Sequence, residues 1–472
     1  MRAALLIDFG STYTKLRAVD VERATIIGAG HGPSTVGTDI TIGMRAALAD
    51  LERHVGVLPA FAYRLACSSA AGGLRMVTVG LVRELTAEAA RQAALGAGAR
   101  LVGTFAYRLT AADVTRIEEL APDILLLAGG TDGGNSEVIL HNADALGRSR
   151  LACPIVLAGN RSAMDQCRER LAGRVVIVTE NVMPEFNVLN IEPARGAIRA
   201  VFIDRIVHAK GIDRAQAMFD RVLMPTPAAV MEGARLLADG CDGLAGLGEL
   251  LIVDPGGATT DVHSVASGEP SRAGVIAQGL PEPRVKRTVE GDLGMRHNIA
   301  AIDDAAGAGV IAAESGLAVA RVRDLIAELG RSVERVPVNP DEEALDRALA
   351  RAAVRLAVKR HAGTVETVFT VSGPAVVQRG KDLSEVGVVI GTGGALVHSP
   401  DPAAILATAL ADAGDPLSLR PRAPRLLLDR EYILYACGLL GQVEPRQALA
   451  LGLAHLAPVN REIGDERTVR TW

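Results

Sequence analysis

The chain has 472 residues, with 50 basic against 55 acidic side chains, a formal net charge of −5, 49% apolar residues and a mean hydropathy of +0.24. That length exceeds what one hydrophobic core serves, so two or more domains are expected. No basic stripe interleaved with aromatic residues is present, which argues against a nucleic-acid ligand, and no uninterrupted apolar run reaches the roughly 18 residues of a membrane span.

Strand signals begin at once, over 3–9, 13–20 and 24–28, joined by short turns as an antiparallel meander. No positively charged flank, long apolar run or small-residue cleavage site precedes them, so a cytoplasmic location is expected. Next come a helical pattern over 44–54, a strand near 63–67 and a charged amphipathic run over 81–95. A strand over 101–107, a helix over 111–120 and strands over 123–127, 154–158 and 175–179 follow. This alternation predicts an α/β sheet with helical crossovers. From 192 to 248 the strand signal fades, with Pro225 and Pro227 as breaks, and the segment 191–248 reads as a helical bridge between halves 1–190 and 249–472. The second half carries a strand pattern from 252, a helix over 342–361, a strand over 367–372, a surface loop over 413–424 with three prolines, and a helical tail.

Two segments about 245 residues apart repeat one pattern: Leu6-Ile7-Asp8-Phe9-Gly10-Ser11-Thr12-Tyr13-Thr14-Lys15 and Ile252-Val253-Asp254-Pro255-Gly256-Gly257-Ala258-Thr259-Thr260-Asp261. Each is an apolar strand, an Asp, a tight Gly turn, hydroxyls and a second strand. A Gly-rich hairpin turn aims successive backbone N–H groups into one concavity, an anion nest suited to phosphate. Ser11, Thr12, Thr259 and Thr260 add donors. Asp8 and Asp254, each at the end of a rigid strand, can hold a water of a hydrated Mg²⁺, an ion that keeps several waters while bridging phosphates. Lys15 either neutralises phosphate charge or is a solvent-facing strand lysine. A third turn, Gly129-Gly130-Thr131-Asp132-Gly133-Gly134-Asn135, follows an apolar strand, where ligands of open α/β sheets bind. Asp132 either orients a water toward a γ-phosphate, or stabilises a closed state, or is an exposed Asp in a Gly-rich turn. Phosphoryl transfer asks a protein mostly for positioning and electrostatics, so two nests, a metal and one water-directing group suffice for ATP hydrolysis. No G-x-x-x-x-G-K-[ST] sequence occurs, which excludes P-loop chemistry.

These paired loops resemble the phosphate-1 and phosphate-2 loops of the actin-like ATPase superfamily. The segments Thr370-Val371-Ser372-Gly373-Pro374 and Val388-Val389-Ile390-Gly391-Thr392-Gly393-Gly394-Ala395 resemble its adenosine-binding segment. The resemblance implies an α/β fold of two duplicated, ribonuclease H-like lobes around a nucleotide cleft. More narrowly, the chain resembles the MutL/GlmL family, accessory proteins of adenosylcobalamin-dependent glutamate mutase and related mutases and distinct from the mismatch-repair protein of similar name. The residues that carry this are the two loops, Leu127 through Asn135, and Thr288-Val289-Glu290-Gly291-Asp292-Leu293-Gly294-Met295, in order across nearly the whole chain. The first motif departs at Phe9, where a small or β-branched residue is usual.

The resemblance implies ATP and ADP with Mg²⁺ as ligands. The nucleotide would contact Gly10, Ser11, Thr12, Gly129, Gly130, Thr131, Gly256, Gly257, Ala258, Thr259, Thr260, Gly373, Gly391, Thr392, Gly393 and Gly394, with Asp8 and Asp254 as metal residues and Asp132, Asp8 and Lys15 as catalytic ones. It also implies an adenosylcobalamin-dependent mutase as partner, with a homodimer as a further possibility. The expected function is ATP-driven reactivation of that mutase; a small-molecule kinase with Asp132 as base and a nucleotide-dependent filament are the alternatives. No role is derivable for Glu290 and Asp292. The run Arg284-Val285-Lys286-Arg287 reads as a solvated face or an anion contact. Cys67, Cys153, Cys167, Cys241 and Cys437 show no ligand spacing and read as structural thiols.

Overall fold

The computed structural model describes all residues except 11–12, 36–38, 70–73, 210–217, 308, 334, 372 and 460–472. Its first sheet begins with β1 (Ala3–Phe9), β2 (Tyr13–Asp20) and β3 (Thr25–Pro33), an antiparallel meander in the expected place. Helix α1 (Ile40–Val55) packs on β3 and leads into β4 (Phe61–Ser68), which lies parallel to β1. All seven residues of β1 are buried, as befits a central strand covered on both faces.

The chain then leaves this sheet. Strand β5 (Arg75–Gly80), a single π-helical turn at Arg83–Ala87, α2 (Glu88–Gly96), β6 (Arg100–Ala106), α3 (Ala111–Leu120), β7 (Ile124–Leu127), α4 (Glu137–Gly147), β8 (Ile155–Leu157), α5 (Met164–Arg170) and β9 (Val176–Val178) build a separate parallel sheet. Its strand order is β6-β5-β7-β8-β9, a doubly wound arrangement. Helix α3 starts on a capping box: Thr110 accepts from Asp113 N while the Asp113 carboxylate accepts from Thr110 N.

Helix α6 (Glu192–Ala209) returns the chain, and β10 (Arg221–Pro225) pairs parallel with β4, so the first sheet runs β10-β4-β1-β2-β3. The segment expected to be a helical bridge therefore contains the closing strand of the first sheet. Pro225 and Pro227 mark the turn from that strand into α7 (Thr226–Asp239), with Pro227 in the first helical turn, where its missing N–H leaves no bond unmade.

The second half repeats the plan. Strands β11 (Leu250–Pro255) and β12 (Thr260–Val265) form a hairpin; β13 (Val275–Gln278) follows, and β14 (Val285–Glu290) pairs antiparallel with β12. Helices α8 (Ile299–Ala306), α9 (Val310–Ser315), α10 (Val319–Gly330) and α11 (Pro340–His361) cover one face. Helix α11 has Asn339 as its cap, three acidic residues in its first turn and the cations Lys359 and Arg360 in its last, matching the helix dipole at both ends. Strands β15 (Thr364–Thr370) and β16 (Gly373–Arg379) make a hairpin that joins β13 in a small sheet. Then β17 (Val388–Gly391), α12 (Gly394–Val397), α13 (Pro402–Leu406), β18 (Arg425–Leu428), α14 (Leu434–Leu440), α15 (Pro445–His455) and β19 (Ala457–Pro458) complete the sheet β14-β12-β11-β17-β18-β19.

Apart from β19, the two main sheets share one topology: three antiparallel strands with the first in the centre, continued by two parallel strands on its other side. This is the duplicated actin-like architecture. The halves meet where α7 crosses α14. A Cβ at Gly438 would run into the Ala229 carbonyl, and one at Gly233 into the Leu434 carbonyl, so the two backbones touch only because both positions are glycine.

Candidate functional site: paired hairpins between two lobes

In the first hairpin Asp8 sits opposite Lys15 and Gly10 N donates to Tyr13 O at 3.0 Å; in the second Asp254 sits opposite Asp261 and Gly256 N donates to Thr259 O at 2.9 Å. The turns are thus the same device at matching positions. Ser11 and Thr12 lie outside the described residues. Ser34 Oγ donates to Gly10 O at 2.7 Å and holds the first turn from the side.

Asp8 is 5% exposed and accepts from Thr226 Oγ1 at 2.6 Å, the first residue of α7. Burial raises its carboxyl, opposed by the charge of Lys15 and by hydrogen bonds from Thr226 and the Cys67 thiol. Asp254 differs: no hydrogen bond or ion pair reaches its carboxylate among the described residues. Burial and then the neighbouring Asp261 push it up to about 6, with Asp429 adding to the effect. Asp261 is already paired, accepting from Arg287 Nη2 at 2.8 Å and Nε at 3.1 Å. Asp429 is buried and caps α14, accepting from Ile433 N at 2.8 Å and from Thr392 Oγ1 at 3.3 Å. Asp254 is therefore the unpaired carboxylate in a region rich in negative charge, and that donor set fits a hydrated divalent cation.

Within the segment 391–394 it is Gly393 that lies against this carboxylate. Gly391 ends β17, which is parallel to β11, and Gly393, at φ +91, lies where a Cβ would meet the Asp254 carboxylate. Gly373 is elsewhere, at the tip of the β15–β16 hairpin, where Thr370 Oγ1 donates to its carbonyl. The structure does not put Gly373 in the sheet that holds Gly391, Thr392, Gly393 and Gly394.

The turn containing Gly129, Gly130 and Thr131 also belongs to another sheet, at the carboxyl end of β7 in the inserted unit. Asp132 Oδ1 accepts from Asn181 Nδ2 and from Arg161 N, both at 2.9 Å, and Asp132 N donates to Pro184 O. Asn160 binds Gly133 N, Gly134 O and Asn135 O. That carboxylate braces its own loop.

The segment whose role had no derivation from sequence supports the second hairpin. Thr260 Oγ1 donates to Leu293 O at 2.7 Å, Met295 N to Gly256 O, and Arg296 N and His297 N to Gly257 O. A Cβ at Gly294 would strike Ala258. Glu290 and Asp292 both accept from Arg360 at 2.7 Å. In the run 284–287, Lys286 and Arg287 are buried rather than solvated, because Asp261 and the last turn of α2 engage Arg287. Four of the five cysteines are buried and all are free.

Thr226, Asp429, Tyr432 and Arg360 carry no local sequence signal; each reaches the site through an element distant in the chain. Tyr432, at φ +53 in the turn after β18, places its ring under Lys15. Arg17 Nε donates to Glu431 O at 2.8 Å, a second tie across the lobes. Among the described residues no helix is long and apolar enough to cross a membrane.

The family model for MutL protein matches residues 4–456. Protein MutL of Clostridium tetanomorphum is 46% identical over 462 residues, covering 97% of this chain and 100% of that protein. More distant likenesses among solved structures include a glycerol dehydratase reactivase (TM-score 0.34, 11% identity, 93% of this chain and 100% of that one). Another is the Acidaminococcus fermentans (R)-2-hydroxyglutaryl-CoA dehydratase component A (TM-score 0.29, 11% identity, 96% and 97%). With nearly its whole length matched, the chain belongs to the MutL protein family.

Proposed function

We propose that this protein binds Mg²⁺-ATP between its two hairpins, hydrolyses it slowly, and uses the cycle to reactivate an adenosylcobalamin-dependent mutase in the cytoplasm. The observation that carries the nucleotide part is the duplication itself: two Gly turns with identical backbone closure, one Asp at each strand end, and an unpaired Asp254 against Gly393. Mg²⁺ would be held through water by Asp254 and Asp8 and would supply charge neutralisation at the phosphates. Lys15 adds a cation on the first hairpin. With the Gly10 and Gly256 N–H groups closing the two turns, the Gly257 N–H would orient phosphate oxygens, and the segment 391–394 would let the backbone approach the nucleoside.

Coupling to a partner follows from the crossing of α7 and α14. Asp8 is tied to the start of α7 through Thr226, and Asp429 caps the start of α14, so a ligand that pulls on either carboxylate pulls on the hinge. ATP and ADP would then favour different openings and different affinities for the mutase, from which inactive cobalamin leaves. The kinase reading needs a base beside the γ-phosphate, and nothing observed favours Asp132 for that role.

The test is calorimetry of Mg²⁺-ATP and Mg²⁺-ADP with the wild type and an Asp8→Ala/Asp254→Ala variant, followed by phosphate release with and without mutase. Binding lost in the double variant, and hydrolysis accelerated by the mutase, is the expected result. Absence of nucleotide binding to the wild type would overturn the nucleotide site; binding without any mutase effect would overturn the partner.

A further inference from the structure

A cavity of about 510 Å³ lies between the inserted unit and the second main sheet, beside the tip of the second hairpin. One wall is α2 and β6, the other is β14, and Thr259 of the second hairpin stands at its margin. Four cationic side chains line it: Arg91 and Arg100 from the inserted unit, Lys286 and Arg360 from the other side. Glu290 is the one carboxylate among the lining residues.

Three of the cations have partners. Arg91 is paired with Glu88, Lys286 with Glu282, and Arg360 with Glu290 and Asp292. Among the described residues Arg100 has no ion-pair or hydrogen-bond partner for its guanidinium, although it lines the same cavity. Thr104 and Thr288 line opposite walls, their hydroxyls bonded to Thr78 Oγ1 and His361 Nδ1. His361, which shares a 2.8 Å hydrogen bond with Thr288, is held neutral by burial and by the charges of Lys286, Lys381 and Arg91.

We propose that this cavity is a binding site for a small organic polyanion, a di- or tricarboxylate or a phosphate ester, whose oxyanion groups reach Arg100 on one wall and Lys286 and Arg360 on the other. The volume falls within the range of small-molecule sites and is many times that of a water, so a lone inorganic ion would leave it mostly unfilled. Oxyanions are the groups for which guanidinium forks are built. A ligand there would span two parts of the protein that also meet where α2 packs on β14. Arg287 there donates to the carbonyls of Leu95 and Ala99. Its occupancy would favour the docked position of the inserted unit and would be felt at the second hairpin through Thr259. The inference stands on the cavity and does not depend on the nucleotide reading.

Citrate and glycerol 3-phosphate, titrated calorimetrically at low ionic strength, represent the two ligand sources, with Mg²⁺-ADP titrated into the same proteins. Saturable binding of either probe is expected, weakened about five- to tenfold by Arg100→Ala and abolished by Arg100→Glu, while Mg²⁺-ADP affinity stays within twofold. Arg100 is exposed, so both variants should fold, which circular dichroism checks. Asp254→Asn should weaken Mg²⁺-ADP and leave the probe unaffected. No binding of either probe at millimolar concentration, equal binding to Arg100→Glu, or loss of probe binding in Asp254→Asn would each overturn the proposal.

Discussion

Lys15 Nζ lies 4.7 Å from the centroid of the Tyr432 ring, so a cation of the first hairpin rests on an aromatic face supplied by the other lobe. Burial and the nearby Asp254 and Asp429 push the Tyr432 hydroxyl up to about 12, and the ring stays neutral at any physiological pH. A contact of this kind contributes about 0.5–1 kcal/mol at a partly exposed site. Tyr432→Phe keeps the ring face and should bind Mg²⁺-ATP within twofold of wild type. Tyr432→Ala should weaken it roughly two- to fivefold, the factor that this energy implies. Fluorescent-nucleotide titration reads both, and wild-type affinity in Tyr432→Ala would remove the ring from the site.

Asp254 carries a stability cost in the empty protein. Its folded value of about 6 lies above the 3.8 of a free Asp, so the folded state prefers the protonated form. As pH rises from about 4 through 6 the cost develops, and above 6 it is fully present. Asp254→Asn, without nucleotide or magnesium, should therefore be more stable than wild type at pH 7.5, by on the order of 1–3 kcal/mol, and should gain nothing at pH 4. Thermal melts at the two pH values decide it, and an equal gain at both would be the contrary result.

His361 behaves in the opposite sense. Its ring bonds Ser264 Oγ and Thr288 Oγ1, each at 2.8 Å, and burial holds its folded value well below 6.5. The unfolded chain takes up a proton near pH 6.5, so this stabilisation is present above that pH and is lost as pH falls. His361→Gln should lower stability by about 1–3 kcal/mol at pH 7.5, with the gap to wild type narrowing toward pH 5. A gap that widens on acidification would contradict the assignment.

The hinge crossing should tolerate no added atom. Gly438→Ala places a methyl against the Ala229 carbonyl, which requires the two helices to separate. An overpacking cost of about 1–3 kcal/mol is expected, together with altered nucleotide affinity, because α7 carries Thr226 and α14 is capped by Asp429. Gly196, whose added Cβ would meet nothing, is the control position in another helix.

The hairpins were legible because an apolar strand, an Asp and a Gly turn leave little conformational choice, and because the pattern occurs twice. Helix α3 was legible to the residue, since Thr110 and Asp113 fix its start. Strand β5 was not: it is short and buried on both sides, so Arg75–Gly80 shows no alternation, and it is recognised only by β6 and β7 beside it. Strand β10 was masked by the prolines that end it. Asp132 sat in a glycine-rich turn and Gly373 in a Ser-Gly-Pro turn, and only the sheets to which they belong tell them apart from the segment 391–394. Arg360 and Tyr432 are ordinary residues locally, and their place depends on how distant elements pack.

The position of β10 also bears on how the protein is made. Its partner β4 ends at Ser68, yet β10 starts at Arg221, so the first sheet keeps an unpaired edge until the entire inserted unit has left the ribosome. The inserted sheet draws all its strands from the residues between these two, and domains of a growing chain fold as units. The inserted unit should thus reach its folded form before the sheet that flanks it, and a nascent chain halted before residue 221 would expose the β4 edge as a target for chaperones.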